Sequence, residues 1–184
     1  MIKTYDIRFA SLTTKQLLLR PLNEADQATI FLLRSDAQVN HYLDRPPCLT
    51  PEDALLFIKK IQDCILKQEG MYWAICLKDN KSLIGTICLF NFSEQYKNAE
   101  IGFELIPSFQ GKGLMQEALA TILSLSFEIL KIQTISAVSH IDNKPSINLL
   151  KKNDFKMIEV SATKGYDAPE DFIHFRLQNS PSNI

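Results

Sequence analysis

Ile101, Phe103 and Leu105 alternate with Glu100, Gly102 and Glu104, the two-residue period of a strand. Pro107 has no amide proton to give to a ladder, so pairing is expected to end there. Beyond it the period changes. Met115, Ala118, Leu119, Ile122 and Ile129 follow the three-and-four spacing of a helix with one buried stripe. The junction between the two periods is Gln110-Gly111-Lys112-Gly113.

The rest of the chain divides by the same signals. Residues 1–14 are a mixed extension with room for an extra edge strand. Residues 16–22 read as the first strand, stopped by Pro21. Asn23 can cap a helix whose opening acids, Glu24 and Asp26, suit its positive end; it carries Ile30, Phe31 and Leu33 and runs to about Asp36. Thr50-Pro51-Glu52-Asp53 opens a second helix that ends before Gly70. Residues 71–77, 83–90 and the strand ending at Leu105 follow one another through short turns, which predicts an antiparallel meander. After the helix that follows the glycine pair comes a strand over 134–139, expected to run parallel to its predecessor because a helix intervenes. A shorter helix opens at Asn143 and ends near Asn153, a residue that tolerates a left-handed cap. Residues 155–160 and 171–177 close the sheet, and 179–184 form a tail. The order β-α-α-β-β-β-α-β-α-β-β predicts one domain over 1–184, with a mixed α/β architecture.

Composition narrows the functional classes. Of the 184 residues, 46% are hydrophobic and 22% charged, and the net charge of −1 offers no attraction to nucleic acid or an anionic membrane. No apolar run has the length of a membrane span, and the N-terminus lacks the apolar core of a signal peptide. Cys48, Cys64, Cys76 and Cys88 show no metal spacing, and Cys76 and Cys88 sit in apolar strands, so a reducing cytoplasm is expected. His41, His140 and His174 form no metal pattern either, and no metal is expected.

The glycine junction carries the chemistry. The first amides of a helix lack intrahelical partners, and the helix dipole makes that end electropositive. Glycines remove the side chains that would hold an anion away, so Gln110 to Met115 form a candidate phosphate cradle with Lys112 as a nearby charge. A P-loop needs glycine where Ile106 stands and Ser or Thr where Gly113 stands; a dinucleotide fingerprint needs a third glycine at Gln116. Both are excluded. A glycine-eased strand-to-helix turn without a ligand is the plainer alternative.

Gln110-Gly111-Lys112-Gly113-Leu114-Met115 follows Gln/Arg-x-x-Gly-x-Gly/Ala up to its last place, where Met115 stands, and with the preceding Ala99-Glu100-Ile101-Gly102-Phe103 it resembles the GNAT acyltransferases. The continuation Gln116-Glu117-Ala118-Leu119, the early Leu18-Leu19-Arg20-Pro21-Leu22, Arg34-Ser35-Asp36 and Asn143-x-x-Ser146 are most similar to the ribosomal-protein N-terminal acetylases. The resemblance spans residues 16–178 and implies a mixed, mostly antiparallel sheet of about seven strands flanked by helices. It implies acetyl-CoA as co-substrate, with its pyrophosphate on Gln110, Gly111, Lys112, Gly113, Leu114 and Met115. Its thioester would lie against backbone groups of Glu104, Leu105 and Ile106, and Asn143 would hold the pantetheine arm, unless it is an ordinary helix cap. By the same resemblance Glu100 is the leading general base for the incoming amine, with Glu104 on the same face as its rival. The tyrosine that protonates the leaving thiolate in many relatives is here Leu150, which leaves Ser146 as the substitute unless its hydroxyl is spent on backbone. The expected reaction is acetyl transfer to a primary amine, either a protein N-terminus or a small molecule such as a polyamine, amino acid or aminoglycoside. A binding module that holds acyl-CoA without turnover is the other class. Monomer and homodimer are both open.

Overall fold

The computed structural model describes residues 7–159 and 171–179. A single eight-stranded sheet runs through them in the order β1-β2-β3-β4-β5-β6-β8-β7. The strands are β1 (Leu12–Thr13), β2 (Leu17–Arg20), β3 (Gly70–Leu77), β4 (Leu83–Phe90), β5 (Asn98–Leu105), β6 (Thr134–His140), β7 (Lys156–Ile158) and β8 (Phe172–Gln178). Every neighbouring pair is antiparallel except β5 and β6. The extension supplies β1 as an edge strand, which brings the count to eight.

Helices cover both faces. α1 (Gln27–Ser35) and α3 (Pro51–Leu66) lie over the face that carries Tyr72, Ala74, Cys76 and Cys88, and the short α2 (Ala37–Asn40) follows α1. α4 (Leu114–Ser124) and α5 (Lys144–Lys152) lie over the other, against Trp73, Ile87, Ile101 and Phe175. Both caps read from the sequence form, and each closes as a capping box: Asn23 with Asp26, opening a 3₁₀ turn before α1, and Thr50 with Asp53 at α3, where Pro51 takes the first helical position. Asp26 is buried and accepts two bonds from Arg20 (2.8 and 2.6 Å), which ties α1 to β2. Among the described residues, no helix is long and apolar enough to cross a membrane.

Two helix ends depart from expectation. Past Ser124 the α4 helix widens into a π turn, Leu125–Ile129, where Leu130 N–H reaches Leu125 O (3.0 Å). The buried Ser126 hydroxyl donates to Ile122 O (2.6 Å) inside this turn. The wider turn shifts the stripe, so Leu125 and Ser126 are buried while Ile129, expected in the stripe, is 63% exposed. After α5 the left-handed residue is Asp154 (φ 63°), not Asn153 (φ −101°), because Asn153 instead pairs with Gln116 across to α4 (2.7 and 3.0 Å).

The feature that positions the site is where two strands part. β5 and β6 pair only at Asn98–Thr134, Ala99–Ile135 and Glu100–Ser136. Beyond Glu100 both continue without pairing to each other, leaving a notch in the sheet.

Candidate active site

Gly111 (φ 72°) and Gly113 (φ 77°) both take the left-handed conformation, and a Cβ built on either would meet nothing within 4 Å. Among the described residues, the amides of Gly111, Lys112, Gly113, Leu114, Met115 and Gln116 have no acceptor in the protein; the first with one is Glu117, whose N–H reaches Gly113 O (3.1 Å). Consecutive free donors at the start of an eleven-residue helix, uncovered by side chains, form a concave electropositive corner. Two side chains hold it. Gln110 Nε2 donates to Leu105 O (2.9 Å), and Glu117 on α4 accepts from Gln16 N (2.7 Å), Gln16 Nε2 (2.8 Å) and the Thr14 hydroxyl. Burial alone would push the Glu117 carboxyl up, but the Thr14 and Gln16 donors, with Lys15, hold it below its ordinary value.

A cavity of about 460 Å³ runs from this corner along the start of α5 to the end of β5. Its walls include Gln110, Gly111, Gly113, Leu114, Met115, Asn143, Ser146, Glu104 and Leu105, so the structure brings most of the predicted cofactor residues to one surface. Lys112 and Ile106 are not in that lining: the Lys112 ammonium lies 5.5 Å from the centre of the Phe109 ring, and Ile106 N–H donates to Ile84 O (2.9 Å). Ile106 N–H bonds to Ile84 O, the residue opposite it in the register, so by the two-residue alternation the even positions of β5 turn their backbone groups toward β4. The odd ones, Ile101, Phe103 and Leu105, face the notch. Of the three strand-end residues expected to serve the thioester through backbone groups, Leu105 faces the opening, and its amide is the group left there once Gln110 has taken its carbonyl. Asn143 caps α5 by accepting from Ser146 N (3.2 Å), while the Ser146 hydroxyl bonds no described residue.

A second cavity of about 180 Å³ fills the notch, walled by Ile101 to Phe103, Ala137 to His140, Leu150 and Phe172. It shares Tyr42, Leu43, Phe103, Asn143 and Ser146 with the larger cavity, so the two meet there. Aromatic rings frame the junction: His41 lies 4.5 Å from Tyr42, Tyr42 5.5 Å from His140, and His140 5.4 Å from Phe172.

The two glutamates differ sharply in company. Glu104 is 8% exposed, receives Arg45 at 2.5 Å, lies 3.8 Å from Arg34 and accepts from the Thr86 hydroxyl (3.1 Å). Arg45 is aimed by Asn40, whose Oδ1 accepts from Arg45 Nε (3.1 Å) and whose Nδ2 donates to Arg34 O (2.7 Å). The Arg34 guanidinium also stacks 3.8 Å over Phe57. Thr86 in turn accepts from the Tyr72 hydroxyl (3.0 Å). Burial, then the nearby Glu104 charge, pushes the Tyr72 phenol well up and the Cys88 thiol to about 12, so neither ionises near neutrality. Glu100 accepts from Asn91 Nδ2 (3.1 Å) and lines neither cavity. Sequence reasoning missed the arginine clamp on Glu104 and the meeting of Tyr42 with His140. Arg45 stands 59 positions from Glu104, and no local spacing signals such a pair.

Among the described residues, no cluster of His, Cys, Asp or Glu could hold a metal ion. Residues 16–156 match the family model described as the acetyltransferase (GNAT) domain. The uncharacterized N-acetyltransferase YoaA of Bacillus subtilis (strain 168) is 32% identical over 148 residues, 80% of this chain and 84% of that protein. Two solved structures share the fold. One is RimL, a ribosomal L7/L12 alpha-N-protein acetyltransferase, in complex with coenzyme A (TM-score 0.78, 18% identity, 92% of this chain and 98% of that one). The other is spermidine N-acetyltransferase from Vibrio cholerae in complex with coenzyme A and spermine (TM-score 0.75, 20% identity, 90% and 96%). The family match takes in the split strands, the open glycine corner and the start of α5 together, and the chain therefore belongs to the GNAT N-acetyltransferases.

Proposed function

We propose that the chain moves an acetyl group from acetyl-CoA to a single primary amine, such as the N-terminal amine of a protein, rather than to a polyamine. The observation that carries the cofactor half is the run of amides from Gly111 to Gln116 without an acceptor among the described residues, at a corner where the space beside Gly111 and Gly113 is open. A diphosphate would satisfy them, and the pantetheine arm would follow the larger cavity past Asn143 to the freed edge of β5. The coenzyme A complexes of RimL and the spermidine enzyme, which share this fold, support the assignment.

Acyl transfer needs a neutral amine, a donor at the developing oxyanion and a proton for the thiolate. Glu100 is the proposed base. It shares a face with Gly102, which lines the notch, and one strand repeat of about 7 Å separates them, a gap that the glutamate side chain and a water span together. Leu105 N–H and the unbonded Ser146 hydroxyl are the proposed donors to the thioester. Glu104 acts differently: with two guanidinium groups around one carboxylate, the formal charge of that cluster is +1. A polycation finds no free carboxylate there, and exposed Asp44 is the other acid in either lining. The four cysteines are free, which fits action in a reducing cytoplasm.

Leu150, fully buried where relatives place an acid, favours a second reading, a module that binds acyl-CoA without turnover. Calorimetry with acetyl-CoA followed by a thiol-release assay separates the two. The panel holds N-terminal peptides, amino acids, an aminoglycoside and spermidine. Binding with turnover on a monoamine is expected; binding with no turnover on any acceptor makes the chain a module. Absence of binding removes both readings, and preferred turnover of spermidine removes the acceptor class.

A further inference from the structure

We propose that Tyr42, from the segment after α2, gives the departing thiolate its proton. The inference rests on the acetyltransferase reading above. Attack by the amine forms a C–N bond and breaks the C–S bond; sulfur leaves with the electron pair and takes a proton. Leu150 has none to give. The hydroxyls in the walls of the two cavities are those of Tyr42, Ser139 and Ser146. Ser139 is buried and donates to His140 O (3.4 Å). Tyr42 and Ser146 each line both cavities, and neither hydroxyl bonds any described residue.

Chemistry separates these two. As classes, phenols ionise near pH 10 and thiols near 8.5. Proton transfer from a phenol to a thiolate is therefore close to balanced, whereas an aliphatic hydroxyl is a far weaker acid. Ser146 can hydrogen-bond to the thioester but is a poor proton source. The phenol ring is also held. The edge of His41 meets it at 4.5 Å, and His140 packs on it at 5.5 Å. His140 is fixed in turn by Phe172 at 5.4 Å and by the Asp142 N–H, which donates to its Nδ1 (3.1 Å). The exposed Asp142 carboxylate lies 3.9 Å from the same nitrogen. The proton that Tyr42 gives up returns from solvent, to which Glu100 passes the one it takes from the amine.

Tyr42→Phe keeps the ring and its contacts and removes only the hydroxyl. The wild type, Tyr42→Phe and Ser146→Ala are compared for kcat, for KM toward acetyl-CoA, for coenzyme A affinity by calorimetry and for melting temperature. Tyr42→Phe is expected to lose about a hundredfold in kcat, with coenzyme affinity, KM and melting temperature unchanged within twofold or a degree. Ser146→Ala is expected to lose less than tenfold. A Tyr42→Phe enzyme that keeps more than a tenth of wild-type kcat overturns the proposal, as does a loss traced to coenzyme binding or to the fold. A wild type that neither binds coenzyme A nor turns over overturns the acetyltransferase reading itself, a result distinct from either.

Discussion

Replacing Arg45 with Met leaves a carboxylate in place without its closest cation. Glu104 is 8% exposed and Arg45 20%, so neither charge is fully solvated when the other is taken away. Two unit charges about 4 Å apart attract by about 4 kcal/mol at the effective dielectric of a protein near its surface. Arg34 at 3.8 Å and the Thr86 hydroxyl stay behind and compensate part of that loss. Methionine also spares the cost of desolvating a guanidinium. The expected net loss is about 2–3 kcal/mol, below the ~3–5 kcal/mol for breaking a fully buried pair. For a chain of this size that lowers the melting temperature by about 5–10 °C. Glu104→Gln removes the charge that needs compensation, so the Arg45→Met/Glu104→Gln double variant should be more stable than the sum of the single losses by about 1–2 kcal/mol. Thermal unfolding followed by circular dichroism measures all four proteins. A drop below about 1 °C for Arg45→Met, or strict additivity in the cycle, would refute the view of Glu104 as a clamped structural charge.

Other substitutions probe the remaining parts of the site. Gly111→Asp should weaken coenzyme A binding at least tenfold in calorimetry, because a carboxylate would project into the space left for the diphosphate and the residue would be forced to keep φ 72°. Affinity equal to wild type would place the phosphates elsewhere. Glu100→Gln should leave that affinity within twofold and lower kcat at least tenfold, and unchanged turnover removes Glu100 from the proton path. Glu117 is held below its ordinary value in the fold, so its contribution is present above its unfolded value of about 4.3 and fades as pH falls through the folded one. The gap in urea midpoint between wild type and Glu117→Gln should therefore be larger at pH 7 than at pH 3; a gap that stays constant denies the linkage. Ser126→Ala should cost about 1 kcal/mol in urea unfolding by deleting the buried 2.6 Å bond to Ile122 O, and a stability gain would show that the π turn does not depend on it.

Local chemistry made much of the architecture legible. The alternation of Ile101, Phe103 and Leu105 marked β5, and the caps at Asn23 and Thr50 marked the helix starts because a cap is a contact between residues three apart. The glycine corner was legible for the same reason: its free amides follow from where a helix begins and which residues precede it. The departures at the helix ends arise where a distant or buried partner wins. Ser126 satisfies its buried hydroxyl on Ile122 O within the widened turn, which moves Ile129 out of the stripe. Asn153 is drawn to Gln116 and passes the left-handed position to Asp154.

The site's acid–base chemistry was less legible, and the two glutamates of β5 show why. Glu100 and Glu104 share one strand and one face, so alternation treats them as equivalent. Their difference is imposed from outside the strand. The segment after α1 folds back so that Asn40 aims Arg45 at Glu104, and Arg34 follows from α1 itself; Glu100, opposite Phe90, accepts from the Asn91 amide and pairs with no arginine among the described residues. The notch has the same origin. Nothing in the apolar pattern of β5 or β6 says that their ladder stops at Glu100–Ser136, since each strand continues with the residues a paired strand would use. A strand's own pattern dictates which way a side chain points, and the elements laid over that face dictate whether its charge is free to take a proton. On β5 that leaves Glu100 as the carboxylate not already committed to an arginine.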